Sequence, residues 1–322
     1  MYRFLLILLT ALALAGCNPG LPADQTAAPP VAADAAAVAD DSARLNTWFE
    51  QRFEEHLAFR PMRKTYLGRK DGYDQIDDLS EAAHDRWLAW LRNTVTELQA
   101  SFDYQALSAE DRISWELWVY QLERAEQALP LQRRSYVFTQ MSGPQASLPQ
   151  FLINMHKVDA AEDMEAYIAR IGGIARAIEQ LLERAQLAAA NGVRPPRFAY
   201  QGVLEQARAV ITGAPFDDAE DSPLWADAQR KIAALREAGK IDQTRADALA
   251  AATRAALVGH LEPAYETLIA WFDDDIANSD ETAAGVWKLP EGDALYALHL
   301  AQHTTTGMTP AEVHEYGLAA SR

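Results

Sequence analysis

The chain has 322 residues, of which 49% are hydrophobic and 23% are charged, and its formal net charge is −17. This length fits one large domain or two, and the apolar content is enough for a sizeable core, which excludes a globally disordered protein. A strongly acidic protein repels phosphate backbones, so nucleic acid is excluded as a partner.

The first residues predict an export signal. Arg3 precedes an apolar run over residues 4–14, which is shorter than the roughly 20 residues that span a bilayer. The run therefore indicates a signal peptide over residues 1–16. It ends at Leu-Ala-Gly-Cys17, which resembles the bacterial lipobox, so Cys17, the only cysteine, is the expected site of lipid attachment. An ordinary secretory signal with an incidental cysteine, or an uncleaved anchor, is the alternative.

Acylated Cys17 would make the lipid bilayer a partner and place the protein in the cell envelope. Asn18 follows it, and by resemblance to Gram-negative sorting the absence of Asp at this position favours the outer membrane, with the protein facing the periplasm. Residues 17–42 are rich in Ala, Pro and Asp and contain no aromatic residue, which predicts a disordered tether whose Ala-rich end forms at most a transient helix. The globular domain is then residues 43–322.

From residue 43 onward the apolar period is helical almost throughout, which predicts an all-α, multi-helix domain. Ser42, Ser80 and Ser108 are placed to cap three helices, and Asp159 is placed to begin a fourth that ends near Gly192. Further helices are predicted over residues 196–211, 223–238 and 244–273, with a kink at 259–263 because Pro263 cannot donate a backbone hydrogen bond. Only the short runs 136–138 and 286–289 could be strands, and no βαβ pattern occurs.

The chain lacks the glycine-rich phosphate loops, the GxSxG motif and the paired CxxC motifs of common enzymes. His56, His84 and His260 occur singly on helices, where a structural role is the better interpretation. His299 and His303 are four residues apart and share one helix face, which is a spacing that zinc sites use.

A second helix with polar groups follows these histidines. Thr309 and Glu312 form a capping box, so a new helix begins there and carries His314 and Glu315. Leu318 occupies the position of the second histidine of an HExxH zinc motif, so that motif is absent. The C-terminal histidines are expected either to line a polar cleft with Tyr296 and Thr304–Thr306 or to satisfy buried helix ends.

Several segments, taken in order, resemble a bacterial family known as domain of unknown function 885. They are TYLG (65–68), the helix start at 79–87, LSAEDR (107–112), MSGPQASLP (141–149), FLINMH (151–156) and GVRPPRF (192–198). The last and most specific is the stretch 303–318, which contains HTTT (303–306), TP (309–310) and HEYGL (314–318). Members are often lipoproteins or secreted proteins and are similar to zinc metallopeptidases. The resemblance implies a larger helical fold in which a zinc-bound water, with a Glu as general base, attacks a peptide carbonyl.

Two features of this chain depart from the family pattern. Gly307-Met308 replaces an Asp-Leu-like pair, and the His-Glu-x-x-Pro-Gly-His motif expected downstream is absent before Arg322. We therefore expect an N-terminal fragment or a short natural form that holds no catalytic residue, metal ligand or cofactor of its own, with zinc expected only in a full-length protein. The resemblance then implies that His299, His303, His314 and Glu315 contact a peptide substrate or support the metal ligands.

Two functions remain open from the sequence. The first is an envelope-anchored zinc-dependent peptidase, incomplete in this chain. The alternative is a non-catalytic helical envelope lipoprotein that binds peptides or partner proteins.

Overall fold

The computed structural model describes residues 31–321. The predicted signal peptide and Cys17 lie outside these residues. Twelve α-helices are present in the described part of the chain: α1 (Val31–Ala58), α2 (Pro61–Tyr66), α3 (Glu81–Ser101), α4 (Ala109–Ala128), α5 (Pro144–Met155), α6 (Ala161–Ala190), α7 (Arg197–Val210), α8 (Pro223–Glu237), α9 (Gln243–Ala256), α10 (Glu262–Asp275), α11 (Gly292–Thr304) and α12 (Pro310–Ala320).

The predicted all-α fold is confirmed. Over residues 31–321 the only β-type pairing is an isolated bridge between Ala214 and Asp221. Neither candidate strand forms, because residues 136–138 are irregular backbone with bends and Val286–Lys288 form a 3-10 turn. None of the twelve helices combines the length and the apolar composition that are needed to cross a bilayer.

The long helix α6 is the centre of the main core. It contacts α5, α8, α9 and α10, and its buried residues recur with helical spacing through Met164, Tyr167, Ile171, Ile174 and Ile178. A second core joins α1, α3 and α4 around Leu45, Trp48, Leu98, Phe102 and Leu107. Aromatic edges meet there, with the Trp48 and Trp118 rings 5.4 Å apart.

Most predicted helix ends agree with the structure. The Ser80 hydroxyl accepts from the Ala83 N–H at 3.1 Å, and Ser108 accepts from the Asp111 N–H at 3.1 Å, so both caps are confirmed. The interruption predicted at 259–263 is a π-helical turn, Leu257–Leu261, between α9 and α10.

Two predicted starts are wrong. Ser42 lies inside α1, because the preceding Ala-rich residues favour helix and α1 already begins at Val31, within the range predicted as a tether. The start of α6 depends on Asp163 rather than on Asp159. The Asp163 carboxylate accepts the N–H groups of Asp159 and Ala160 at 2.8 and 3.0 Å.

Candidate functional site

The four polar residues predicted at the C-terminal end lie on α11 and α12. His299 and His303 share α11, while His314 and Glu315 lie on α12, and all four side chains are exposed. The capping box that begins α12 is confirmed, because the Thr309 N–H donates to the Glu312 carboxylate at 2.7 Å. No residue of α12 is buried, and Val313 is its one half-buried residue.

These residues do not form a zinc site by themselves. A catalytic zinc needs three protein ligands with fixed supporting partners. His299 and His303 supply one helical pair, and no group of three or more His, Cys, Asp or Glu within residues 31–321 is arranged to hold a metal ion. The described residues therefore offer no complete ligand set for a zinc ion, and the expected contact of His299, His303, His314 and Glu315 with a substrate stays a prediction.

A polar cavity lies elsewhere, between α3 and α6. It has a volume of about 580 Å³. Its walls are the corner between α1 and α2 at residues 58–61, the extended segment 75–80, the first two turns of α3, and one face of α6. Arg60, His84, Trp87, Arg176 and Arg184 are among the lining residues.

Specific hydrogen bonds hold the segment 75–80 in place. Gln180 on α6 accepts from the Leu79 N–H at 2.9 Å and donates to the Asp78 carboxylate at 2.9 Å. On the other side, Asp77 accepts from the Met62 N–H at 2.9 Å, which joins the segment to the first turn of α2. The cavity wall is therefore connected to two helices rather than forming a free loop.

The charge around this cavity is positive. Four arginines and two aspartates line it, which leaves a formal charge of +2 in a chain of net charge −17. Arg86 pairs with Asp78 at 2.7 Å, whereas Arg60, Arg176 and Arg184 form no ion pair with any carboxylate of residues 31–321.

The positive field acts on the neighbouring ionisable groups. Burial lowers the pKa of His84, and the charges of Arg184 and Arg60 lower it further, against the opposing effects of Asp85 and Glu81. Burial raises the pKa of the Asp77 carboxyl, although the Met62 N–H and Arg60 oppose this shift.

A buried arginine lies directly behind the cavity wall. Arg170 on α6 is fully buried, and its guanidinium donates to the Gln75 carbonyl at 3.0 Å, to His156 Nδ1 at 2.9 Å and to the Thr65 hydroxyl at 2.7 Å. The Tyr73 ring covers it at 4.7 Å. Since Gln75 also lines the cavity, this network fixes the first residue of the wall.

This side-chain network sets the protonation of His156. Arginine cannot accept a hydrogen bond, so His156 Nδ1 is the acceptor and Nε2 donates to the Asp163 carbonyl at 2.8 Å. Burial lowers the pKa of His156 to about 4, partly opposed by the bond to Asp163 and assisted by the charge of Arg170. The imidazole is therefore neutral at pH 7.

Sequence reasoning did not find this cavity. His84 occurs singly on its helix, which favours a structural role, and the arginines of α6 resemble an ordinary solvated helix face. A weak signal exists in retrospect, because Arg176, Gln180 and Arg184 recur at four-residue spacing along one side of α6.

Twelve packed helices with a polar cavity define an all-α protein over residues 31–321, but they do not by themselves define an activity. Comparison with family models gives the assignment: the chain belongs to DUF885, described as "Bacterial protein of unknown function", which matches residues 61–322. No curated protein sequence matches the chain.

A solved structure shares the fold. The crystal structure described as that of "the putative lipoprotein from Colwellia psychrerythraea" matches with a TM-score of 0.70 at 15% sequence identity. The match covers 87% of this chain and 49% of that one, so this chain spans about half the length of its structural neighbour. At this identity the likeness establishes the fold alone.

Proposed function

We propose that this protein is a lipid-anchored protein of the bacterial cell envelope, and that its helical domain forms part of a zinc-dependent peptidase. The lipobox at Cys17 and the lipoprotein description of the structural neighbour support the anchor. Asn18 supports an outer-membrane position facing the periplasm. The resemblance of the HEYGL segment to the same segment in metallopeptidase-like relatives supports the peptidase.

One observation carries the enzymatic part of this proposal. Helices α11 and α12 present His299, His303, His314 and Glu315 on exposed surfaces, in a chain that spans about half of its structural neighbour. Imidazole and carboxylate groups exposed in this way suit contact with a peptide or with metal ligands supplied by a further segment. The metal ligands would then come from residues outside this chain.

The anchor is tested by changing the only cysteine. Cys17→Ser should abolish the incorporation of radiolabelled palmitate, because the lipid is attached through a thioether that a hydroxyl cannot form. Asn18→Asp is the matched control, which should still be labelled and should move from the outer to the inner membrane fraction. Labelling of the Ser variant, or its absence in the wild type, would show that the protein is not a lipoprotein.

The peptidase is tested first by the DNA that follows the codon for Arg322. An in-frame His-Glu-x-x-Pro-Gly-His should be present, and the corresponding longer protein should hydrolyse peptides in a zinc-dependent manner. His303→Ala should reduce that hydrolysis, whereas His260→Ala, an exposed histidine in the π-helical turn, should leave it unchanged. Equal effects of the two substitutions would contradict a role for α11.

The alternative is a non-catalytic lipoprotein that binds peptides or partner proteins. It is favoured by the 580 Å³ cavity, which offers a binding volume, together with the lack of a three-residue metal group in the described part of the chain. A stop codon directly after Arg322, with ligand binding but no hydrolysis by the purified protein, would select this alternative.

A further inference from the structure

We propose that the cavity between α3 and α6 binds a small organic oxyanion that carries about two negative charges. The site is distinct from the C-terminal histidines, and nothing in its chemistry depends on peptide hydrolysis. Its defining feature is a set of three arginines, Arg60, Arg176 and Arg184, that face a common volume and form no ion pair with a carboxylate of residues 31–321.

The first step of the argument is charge. This protein has many carboxylates, and most of its arginines near them are paired, as Arg133 is with Glu81 at 2.6 Å. Arg60 and Arg176 make no side-chain hydrogen bond within the described residues, and Arg184 donates only to the Leu79 carbonyl at 3.2 Å. Guanidinium groups left free around one cavity are the donors that carboxylates and phosphates bind in bidentate fashion.

The second step is size. A volume of about 580 Å³ lies within the range of sites for organic ligands and far exceeds the space that one phosphate or sulfate ion needs. Phe59 and Trp87 contribute aromatic surface to the same cavity as the arginines. The ligand is therefore expected to combine an apolar body with acidic groups.

The third step is preorganisation. Gln180 lies between Arg176 and Arg184 on α6 and fixes the opposing segment through its bonds to Leu79 and Asp78. The N-terminal end of α3, capped by Ser80, adds the positive end of a helix dipole at the same wall. An anion can therefore bind without first ordering a loop, which lowers the entropic cost of binding.

Isothermal titration calorimetry tests this site with three probes on the purified protein. Phthalate carries two carboxylates on an aromatic ring, phenyl phosphate carries one phosphate, and phthalamide is the neutral analogue of phthalate. At least one of the two anions should bind saturably with one ligand per chain, and phthalamide should not. The comparison of phthalate with phenyl phosphate distinguishes a carboxylate site from a phosphate site.

Variants then locate the binding. Arg176→Gln and Arg60→Gln should each lower the affinity for the anion at least about tenfold. This is the loss expected when one charge-assisted hydrogen bond is removed. Both side chains are exposed and unpaired within residues 31–321, so the fold should be unaffected. Arg63→Gln is the matched control, because Arg63 is exposed on α2, does not line the cavity and changes the net charge equally. It should alter the affinity less than about twofold.

The outcomes are distinct. Saturable binding that is lost in Arg176→Gln and retained in Arg63→Gln supports the site. Absence of saturable binding for both anions, equal binding of phthalamide, or equal weakening by Arg63→Gln would overturn it.

Discussion

Arg170 is a fully buried arginine that forms no ion pair with a carboxylate of residues 31–321, so hydrogen bonds to neutral groups must hold it in place. Three acceptors from different parts of the chain surround it: the Gln75 carbonyl, His156 Nδ1 and the Thr65 hydroxyl. Substitution by Lys keeps the positive charge but removes the planar fork that reaches all three. A compact ammonium can bond at most one or two of them in the space left by the guanidinium.

The magnitude follows from the contacts that are lost. A buried acceptor without a donor costs about 1–3 kcal/mol, so two such acceptors cost about 2–6 kcal/mol. Loss of the stacking on the Tyr73 ring, which is 4.7 Å from the guanidinium carbon, adds about 1 kcal/mol. Arg170→Lys should therefore lower the free energy of unfolding by about 3–7 kcal/mol, which is the sum of these two losses.

Urea denaturation, monitored by circular dichroism, measures this loss in the free energy of unfolding. Arg176→Lys is the matched control, since Arg176 lies on the same helix six residues later and is exposed. It should change stability by less than about 0.5 kcal/mol. If Arg170→Lys also costs less than about 1 kcal/mol, the three hydrogen bonds do not stabilise the fold as argued.

Two further predictions concern buried ionisable groups. Burial lowers the pKa of His156 to about 4, so between about pH 6.5 and pH 4 the unfolded chain binds a proton that the folded chain does not. The free energy of unfolding should therefore fall as the pH falls through this window, by up to about 3 kcal/mol, and His156→Gln should flatten that part of a plot of urea-derived stability against pH. Asp275→Asn should cost about 2–4 kcal/mol in the same assay, because Asp275 accepts two bonds from Arg194 at 2.8 and 3.0 Å and one from the Tyr200 hydroxyl at 2.6 Å. Asp273→Asn, which affects only an exposed pair with Arg208, should cost less than about 1 kcal/mol, and similar losses for the two variants would contradict the role of burial.

Local signals in the sequence were sufficient for the all-α class and for several helix starts. Ser80, Ser108 and Thr309 each cap a helix with a hydrogen bond to a residue three positions later, and such contacts depend only on neighbouring residues. Pro263 likewise produces its interruption through its own missing N–H. The all-α class follows from the sum of these local preferences.

Local signals do not predict which faces of the helices pack against each other. Ile113 and Leu117 continue the apolar period of α4, yet their side chains are 58% and 57% exposed because the second core is built from the other side of the helix. Arg170 shows the reverse case. Its partners His156, Gln75 and Thr65 are 14, 95 and 105 residues away in sequence, so no local pattern distinguishes this buried arginine from the exposed Arg176.

The buried network and the cavity share one structural element, the segment 75–80. Gln75 at its start is bonded to Arg170 in the core, and Leu79 near its end is bonded to Gln180 on the surface of α6. A segment held at both ends cannot move without breaking these hydrogen bonds, so the arginines of α6 face a wall of fixed shape. It follows that the variants separate into two classes: Arg170→Lys should reduce stability and also disturb the cavity, whereas Arg176→Gln should change anion affinity with the stability unaltered. Finding both effects in both variants would mean that the core and the cavity are not the distinct parts described here.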